Sequence, residues 1–191
     1  MRAALTCGVA FMCRVSELTR TQGTDHFLLK RNVKFMRDDL SDREKVTGMR
    51  ITVRSSKTNK GPERSEIAAT GSRTCAVRAM KEYLDWVGGS MEDSDAVFGK
   101  IRGIGTMTSK DVKEAIRRVA REAGESGRVE DFNTRSMRIG GTNSLIDSGM
   151  KGYIIAKHGR WKNNNTFKKV YQRPTKATAR KVAIGMESSK Q

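Results

Sequence analysis

After a helical stretch at its N-terminus, the hydrophobic pattern of this 191-residue chain becomes short and alternating, and near Arg73 it changes to long helical stretches. Three segments before that point are short and partly alternating, as half-buried strands are: Arg31–Met36, Met49–Arg54 and Arg64–Ala68. Between the last two, Asn59, Gly61 and Pro62 predict the turn of a hairpin. The sequence therefore predicts one small antiparallel three-stranded sheet.

Helical periodicity dominates the rest of the chain, where apolar residues recur three and four positions apart. The predicted helices are Met1–Met12, Thr74–Val87, Thr108–Ala123, Thr134–Asp147, Lys151–Lys157, Thr166–Tyr171 and Thr175–Met186. Gly124 and Gly149 stand near the ends of two of them, where glycine commonly stops a helix. With no internal repeat or interdomain linker, we expect a single domain over residues 1–191, of the α+β class and mainly α.

The charge of the chain indicates a polyanionic partner. Its 38 Lys and Arg residues against 21 Asp and Glu residues leave a formal charge of +17. Because the basic residues are spread along most of the chain, a structured basic face is favoured over a disordered basic arm. Each phosphate neutralised releases counterions, so binding should weaken steeply with salt. Nucleic acid is the expected partner class, and a basic scaffold that binds RNA stays open as an alternative.

The sequence favours neither a disulfide framework nor a metal site. Cys7, Cys13 and Cys75 are odd in number and show no C-x-x-C spacing, and His26 and His158 are far apart along the chain. No apolar run approaches the roughly 20 residues that a membrane span needs, and the N-terminus has no convincing signal-peptide cleavage site. We expect no membrane association and a reducing intracellular compartment.

Short motifs occur in one order along the chain: CRVSEL at Cys13–Leu18, SKT at Ser56–Thr58, RSMRIGGT at Arg135–Thr142, and HGRW at His158–Trp161 followed by Tyr171. Over essentially its whole length the chain therefore resembles the catalytic domain of tyrosine recombinases, and RIGGT and GRW are most similar to those of Cryptons and DIRS-type retroelements. The resemblance implies a site-specific recombinase or integrase that breaks and rejoins double-stranded DNA through a 3′-phosphotyrosine intermediate. It also implies that neither ATP nor a metal ion is required.

The resemblance assigns roles to the basic residues and the tyrosine. Arg14 and Arg138 would clamp the phosphate, because guanidinium stays charged and its planar fork matches two phosphate oxygens. Lys57 would be the general acid for the leaving 5′-hydroxyl, with Lys60 as the competing lysine. Tyr171 would be the nucleophile. The structural alternatives are a surface arginine for Arg14, a phosphate-contacting lysine for Lys57, and a core tyrosine for Tyr171.

Trp161 and Glu17 would support these groups. The resemblance implies that the Trp161 indole N–H donates to a phosphate oxygen. The alternative is that Trp161 is a core aromatic residue. Glu17 matches the acidic position of the family and is expected to orient catalytic groups, although it is also spaced to pair locally with Arg14. These assignments complete the predicted site.

Two features depart from the family pattern. The position three residues before Arg138 is usually His, and here it is Arg135, which can neutralise phosphate charge but cannot exchange a proton at neutral pH. The spacing from Trp161 to Tyr171 is about one residue longer than the commonest pattern. A catalytically impaired DNA-binding relative and a type IB topoisomerase, which shares the chemistry, therefore stay open as alternatives.

The resemblance also bears on the extent of the protein. Full-length relatives carry an N-terminal helical domain that completes a clamp around DNA, so we expect this chain to be a fragment that lacks it. Residues 175–191 are predicted to form a C-terminal helix that is exchanged between subunits, with Pro174 marking the break. A homo-oligomer, tetrameric on synapsed DNA sites, follows from that expectation. We expect the protein to be located with DNA, in a nucleus or a bacterial nucleoid.

Overall fold

A computed structural model describes residues 1–20, 26–38, 45–54, 61–99, 105–162, 167 and 171. Within these residues the chain forms six α-helices: α1 (Arg2–Ala10), α2 (Val15–Leu18), α3 (Ala76–Val87), α4 (Ser109–Glu122), α5 (Arg135–Asp147) and α6 (Gly152–His158). Short 3-10 turns lie at Lys30–Asn32, Gly88–Ser90 and Ser126–Asp131. The helices predicted at Thr166–Tyr171 and Thr175–Met186 lie outside the described residues, apart from Phe167 and Tyr171.

The described strands form a small antiparallel sheet in the order β1, β2, β3. They are β1 (Val33–Met36), β2 (Gly48–Val53) and β3 (Glu63–Ala68). In the centre, Ile51 of β2 lies opposite Val33 on one side and Ser65 on the other. Met49, Ile51 and Val53 are buried because alternate residues of β2 face the core. The sheet predicted from the alternating segments is confirmed, and so is the mainly helical α+β fold.

The helix boundaries follow local sequence signals. Thr108 begins α4 with a reciprocal cap, in which its backbone N–H donates to the Asp111 carboxylate at 2.8 Å and its hydroxyl accepts from the Asp111 backbone at 3.3 Å. Gly124 and Gly149 adopt φ angles of +85° and +84° just beyond α4 and α5, as expected of glycines that end helices. The helix α2 was not predicted, because four residues are too few to show periodicity.

The core forms where α1 packs against α3 and α5. Its most deeply buried side chains include Phe11, Leu18, Met49, Ile51, Met80, Val97 and Val112. A Cβ atom on Gly141 would overlap the Val9 carbonyl oxygen, so the second glycine of the RIGGT motif permits the close approach of α5 to α1. This contact fixes α5, which carries Arg138, against α1, whose C-terminal end leads to Arg14. No described helix is long and apolar enough to cross a membrane.

Candidate active site

Arg138 lies at the centre of the candidate site and is almost entirely buried, with 2% of its surface exposed. Its Nη2 donates a hydrogen bond to the carbonyl oxygen of Gly159, just beyond α6. The guanidinium carbon lies 4.3 Å from the centroid of the Trp161 ring and 5.5 Å from that of the Tyr171 ring. Its buried Nε and Nη1 find no hydrogen-bond partner among the residues that the structure describes. The guanidinium thus keeps two donor nitrogens, with three N–H groups between them, that could bind an anion.

Aromatic rings surround this guanidinium. The Trp161 ring packs on Tyr171 with a centroid distance of 4.9 Å, and on the buried Phe167 at 5.4 Å, each pair tilted by 54°. A Cβ atom on Gly159 would overlap the Trp161 ring, so only glycine fits there. The half-buried Tyr171 therefore lies beside Arg138 because its ring packs on Trp161, which packs in turn on the buried Phe167.

Arg14, Glu17 and a third arginine, Arg160, form a linked ion-pair network. Arg14 caps α2, where its backbone N–H donates to the Glu17 carboxylate at 3.0 Å and its Nη1 donates to the other oxygen at 3.1 Å. Glu17 is 1% exposed, and its carboxylate also accepts a hydrogen bond of 2.6 Å from Nη2 of Arg160. One buried carboxylate is thus shared by two guanidinium groups, one of them partly exposed.

The electrostatics of the site favour an added anion. Burial, and then the nearby charge of Arg14, lower the pKa of Arg138 to about 10, although Glu17 acts in the opposite direction. Burial, the largest single effect, would lower the pKa of Arg160, but the charge and hydrogen bond of Glu17 together with those of Cys13 outweigh burial, and the pKa is raised. Arg138 and Arg160 therefore stay charged at neutral pH, and the one carboxylate in contact with these groups, that of Glu17, is already shared by Arg14 and Arg160. A phosphate at Arg138 would relieve both the unpaired donors and the repulsion.

Sequence reasoning missed Arg160. It is buried, and its φ of +59° lies in the left-handed region that residues other than glycine rarely adopt, at a cost of roughly 1–2 kcal/mol. An arginine in a basic chain is ordinarily a surface residue, so composition gives no sign of its burial. The one available signal was its position between Gly159 and Trp161 in the HGRW motif, in which only the tryptophan had been assigned a role.

The remaining predicted site residues are placed differently. Arg135 lies exposed on the first turn of α5, where its backbone N–H donates to Oδ1 of Asn133 at 2.9 Å. Its side chain lines a separate polar cavity together with Arg128 and Asp131. Lys57 and the competing Lys60 lie outside the described residues, between β2 and β3. Among the described residues, no group of three His, Cys, Asp or Glu side chains could hold a metal ion.

The fold is that of the catalytic domain of tyrosine recombinases. The chain matches XerA recombinase with a TM-score of 0.63 and 18% identity, over 96% of this chain and 57% of that one. It also matches the XerH site-specific recombinase in a post-cleavage complex with palindromic difH substrate, with a TM-score of 0.68, 14% identity and coverages of 97% and 45%. The Tn1549 transposon integrase in complex with transposon right-end DNA gives a TM-score of 0.51, 17% identity and coverages of 97% and 58%.

These matches confirm the predicted resemblance at the level of the fold. The chain spans between 45% and 58% of the length of the solved proteins to which it is similar. No family model and no curated protein matches the sequence. The closer similarity to the recombinases of Cryptons and DIRS-type retroelements stays a prediction.

The buried carboxylate supplies a test of the network that is independent of activity. Glu17→Leu would leave Arg160 as a buried charge without its carboxylate, so we expect the free energy of unfolding to fall by about 3–5 kcal/mol. Urea denaturation measures this change. The matched control is Glu66→Leu, which removes the ion pair between Glu66 and Arg50. Because the Glu66 side chain is 47% exposed, this variant should lose less than about 1 kcal/mol of unfolding free energy. Equal losses in the two variants would contradict the described network.

Proposed function

We propose that this chain is the catalytic domain of a DNA strand-transfer enzyme, a site-specific recombinase or integrase that works through a 3′-phosphotyrosine intermediate. The observation that carries the proposal is the position of Arg138, whose buried guanidinium offers two donor nitrogens beside the Tyr171 ring. This arrangement supports a site in which Arg138 would bind the phosphate and Tyr171 would be the nucleophile. Phosphoryl transfer to a protein side chain requires this pairing.

The arginines would act on the phosphorus centre. Its non-bridging oxygens carry more charge in the transition state than in the ground state, so fixed cations stabilise the transition state preferentially. Arg138 would donate to the phosphate oxygens from Nε and Nη1. The partly exposed Arg14 would donate to the same phosphate group. Glu17 holds the Arg14 guanidinium at 3.1 Å, and this contact limits the rotamers that Arg14 samples.

The chemical step exchanges one phosphodiester for another. The Tyr171 Oη attacks phosphorus and its proton passes to solvent water. A phosphotyrosine bond forms to the 3′ side of the DNA, and the bond from phosphorus to the 5′-oxygen breaks. That oxygen gains a proton and leaves as a hydroxyl. We assign Lys57 as the general acid that donates this proton. Religation is the reverse attack by a 5′-hydroxyl, so no nucleotide hydrolysis is needed. Trp161 would donate its indole N–H to a phosphate oxygen.

The DNA-binding part of the proposal rests on charge. The net charge of +17 on 191 residues suits a duplex backbone, and binding should fall steeply with salt. XerH and the Tn1549 integrase, which share the fold, were solved in complexes with their DNA substrates. We place this chain in the same role, as one domain over residues 1–191 of a longer clamp. Homo-oligomers would form through residues 175–191, and the protein would be located with DNA in a nucleus or nucleoid.

A second function is favoured by one specific observation. Arg135 occupies the position of the usual His and lines a cavity apart from Arg138, so it supplies no proton-exchanging group to Tyr171. A relative that binds DNA without cleaving it would show this pattern. Such a protein would retain salt-sensitive DNA binding and would form no covalent adduct.

The test is a trapping experiment without metal. The protein is incubated in EDTA with supercoiled plasmid and with short nicked duplexes of mixed sequence, whose cleaved 5′-hydroxyl fragment diffuses away and prevents religation. The proposal predicts an adduct that resists detergent and heat. Salt-sensitive binding with no adduct would instead identify the silent relative. Relaxation of the plasmid without a recognition site would identify a type IB topoisomerase.

A further inference from the structure

Arg160 makes more contacts with distant parts of the chain than either arginine assigned to the phosphate. Its Nη1 donates to the Phe11 carbonyl oxygen at 3.1 Å and lies 3.4 Å from the Ser65 hydroxyl. Its Nη2 donates to the Glu17 carboxylate at 2.6 Å and lies 4.0 Å from Sγ of Cys13. The side chain is only 2% exposed, and both of its terminal nitrogens are occupied by acceptors within the protein, so that among the described residues only its buried Nε lacks a partner. We therefore assign Arg160 no contact with DNA.

Two of these contacts, those with Glu17 and Ser65, connect Arg160 with parts of the chain that carry a predicted catalytic group. Glu17 in turn holds the Arg14 guanidinium. Ser65 belongs to β3, and the segment of sequence between β2 and β3 contains Lys57. The Ser65 hydroxyl also donates to the His158 carbonyl oxygen at 3.1 Å. On the backbone side, the preceding residue, Gly159, accepts the hydrogen bond of Arg138, and the following residue is Trp161. Arg160 therefore joins the end of α1, α2, β3 and the turn after α6.

We propose that Arg160 is a positioning residue for strand cleavage, which sets the mutual geometry of Arg14, Arg138 and Trp161 without touching DNA. The inference rests on the proposed function. A guanidinium suits this role because its planar fork directs several donors at fixed angles, whereas an ammonium directs none. Phosphoryl transfer depends on such preorganisation, since small displacements of a catalytic group cost large factors in rate.

A role in stability alone accounts poorly for this residue. Buried ion pairs are commonly replaced by apolar side chains without loss of stability. The backbone at Arg160 also has a φ of +59°, which glycine adopts without strain. Strained, charged and buried residues cluster at functional sites, where the surrounding structure holds them in place. The arginine is therefore better explained by what it orients than by what it stabilises.

The first test compares Arg160→Lys and Arg160→Met with the parent protein. On nicked duplexes at saturating protein, we expect the single-turnover rate of adduct formation to fall on the order of 10- to 100-fold. Because both terminal nitrogens of Arg160 are bound within the protein, the Kd for duplex DNA should stay within about twofold. Arg118→Met, which removes an exposed arginine of α4, is the matched control and should leave the rate unchanged.

The second test separates positioning from folding. The double variant Glu17→Gln with Arg160→Met removes both charges of the pair, so urea denaturation should show stability recovered relative to Arg160→Met alone. Because Glu17 itself holds Arg14, Glu17→Gln alone is measured beside the double variant. Positioning predicts that the cleavage rate of the stable double variant stays below that of Glu17→Gln alone. A rate restored together with stability would overturn the inference, and so would parental rates in both single Arg160 variants. If the parent protein forms no adduct, the proposed function fails and this inference fails with it.

Discussion

Tyr171→Phe is expected to abolish the covalent adduct completely while leaving the Kd for duplex DNA within about twofold. Only the phenolic oxygen is removed, so the ring keeps its packing on Trp161, with centroids 4.9 Å apart, and its contact with Arg138. Without the oxygen no phosphotyrosine bond can form. The measurement is the amount of heat-resistant protein–DNA complex formed on nicked duplexes.

Other tyrosines of the chain supply the controls for that variant. Tyr153→Phe alters a residue of α6 that is 67% exposed, and it should leave both adduct and stability unchanged. Tyr83→Phe removes a hydrogen bond of 2.7 Å to the Val97 carbonyl oxygen, so it should cost about 1 kcal/mol of stability without loss of the adduct. An undiminished adduct in Tyr171→Phe would exclude this residue as the nucleophile.

Arg138→Met is expected to lower the rate of adduct formation by about 10²–10³-fold. The change removes donors that act on the charge developing in the transition state. It should also reduce the salt dependence of DNA binding by about one phosphate contact. The rate is measured in single turnover, and the salt dependence by titration between low and moderate ionic strength.

The same substitution should not weaken the fold. Nε and Nη1 of Arg138 have no partner among the described residues, and burial together with Arg14 lowers the pKa of this guanidinium to about 10. Removing a buried charge that repels its neighbours should offset the loss of the hydrogen bond from Nη2 to the Gly159 carbonyl oxygen, so we expect the free energy of unfolding to change by less than about 1 kcal/mol. A large loss of stability with an unchanged cleavage rate would show that Arg138 is structural.

The fold could be predicted because its signals are local. Alternation of apolar residues located the strands. Helical periodicity, with Gly124 and Gly149 as end signals, located α4 and α5 to within two residues, and both glycines adopt positive φ in the structure. The order of short motifs predicted that Arg14, Arg138, Trp161 and Tyr171 belong to one site, and the structure brings these four residues together with Glu17. Their catalytic roles stay predictions, as does that of Lys57.

The unpredicted parts of the site depend on contacts between distant residues. Arg160 reaches Phe11 and Glu17 across 149 and 143 positions, so no local pattern indicates its burial. Arg135 is only three positions from Arg138 on α5, yet one side chain lines an open polar cavity and the other is enclosed by aromatic rings. The difference arises from what packs against each turn of the helix, which spacing alone does not reveal.

The most direct measurement is the identity of the residue that becomes linked to DNA. The trapped complex is digested with nuclease and protease, and the modified peptide is sequenced by mass spectrometry. Our account predicts a nucleotide attached through its 3′-phosphate to Tyr171. A nucleotide on another residue, or a stable DNA complex that yields no modified peptide, would contradict it.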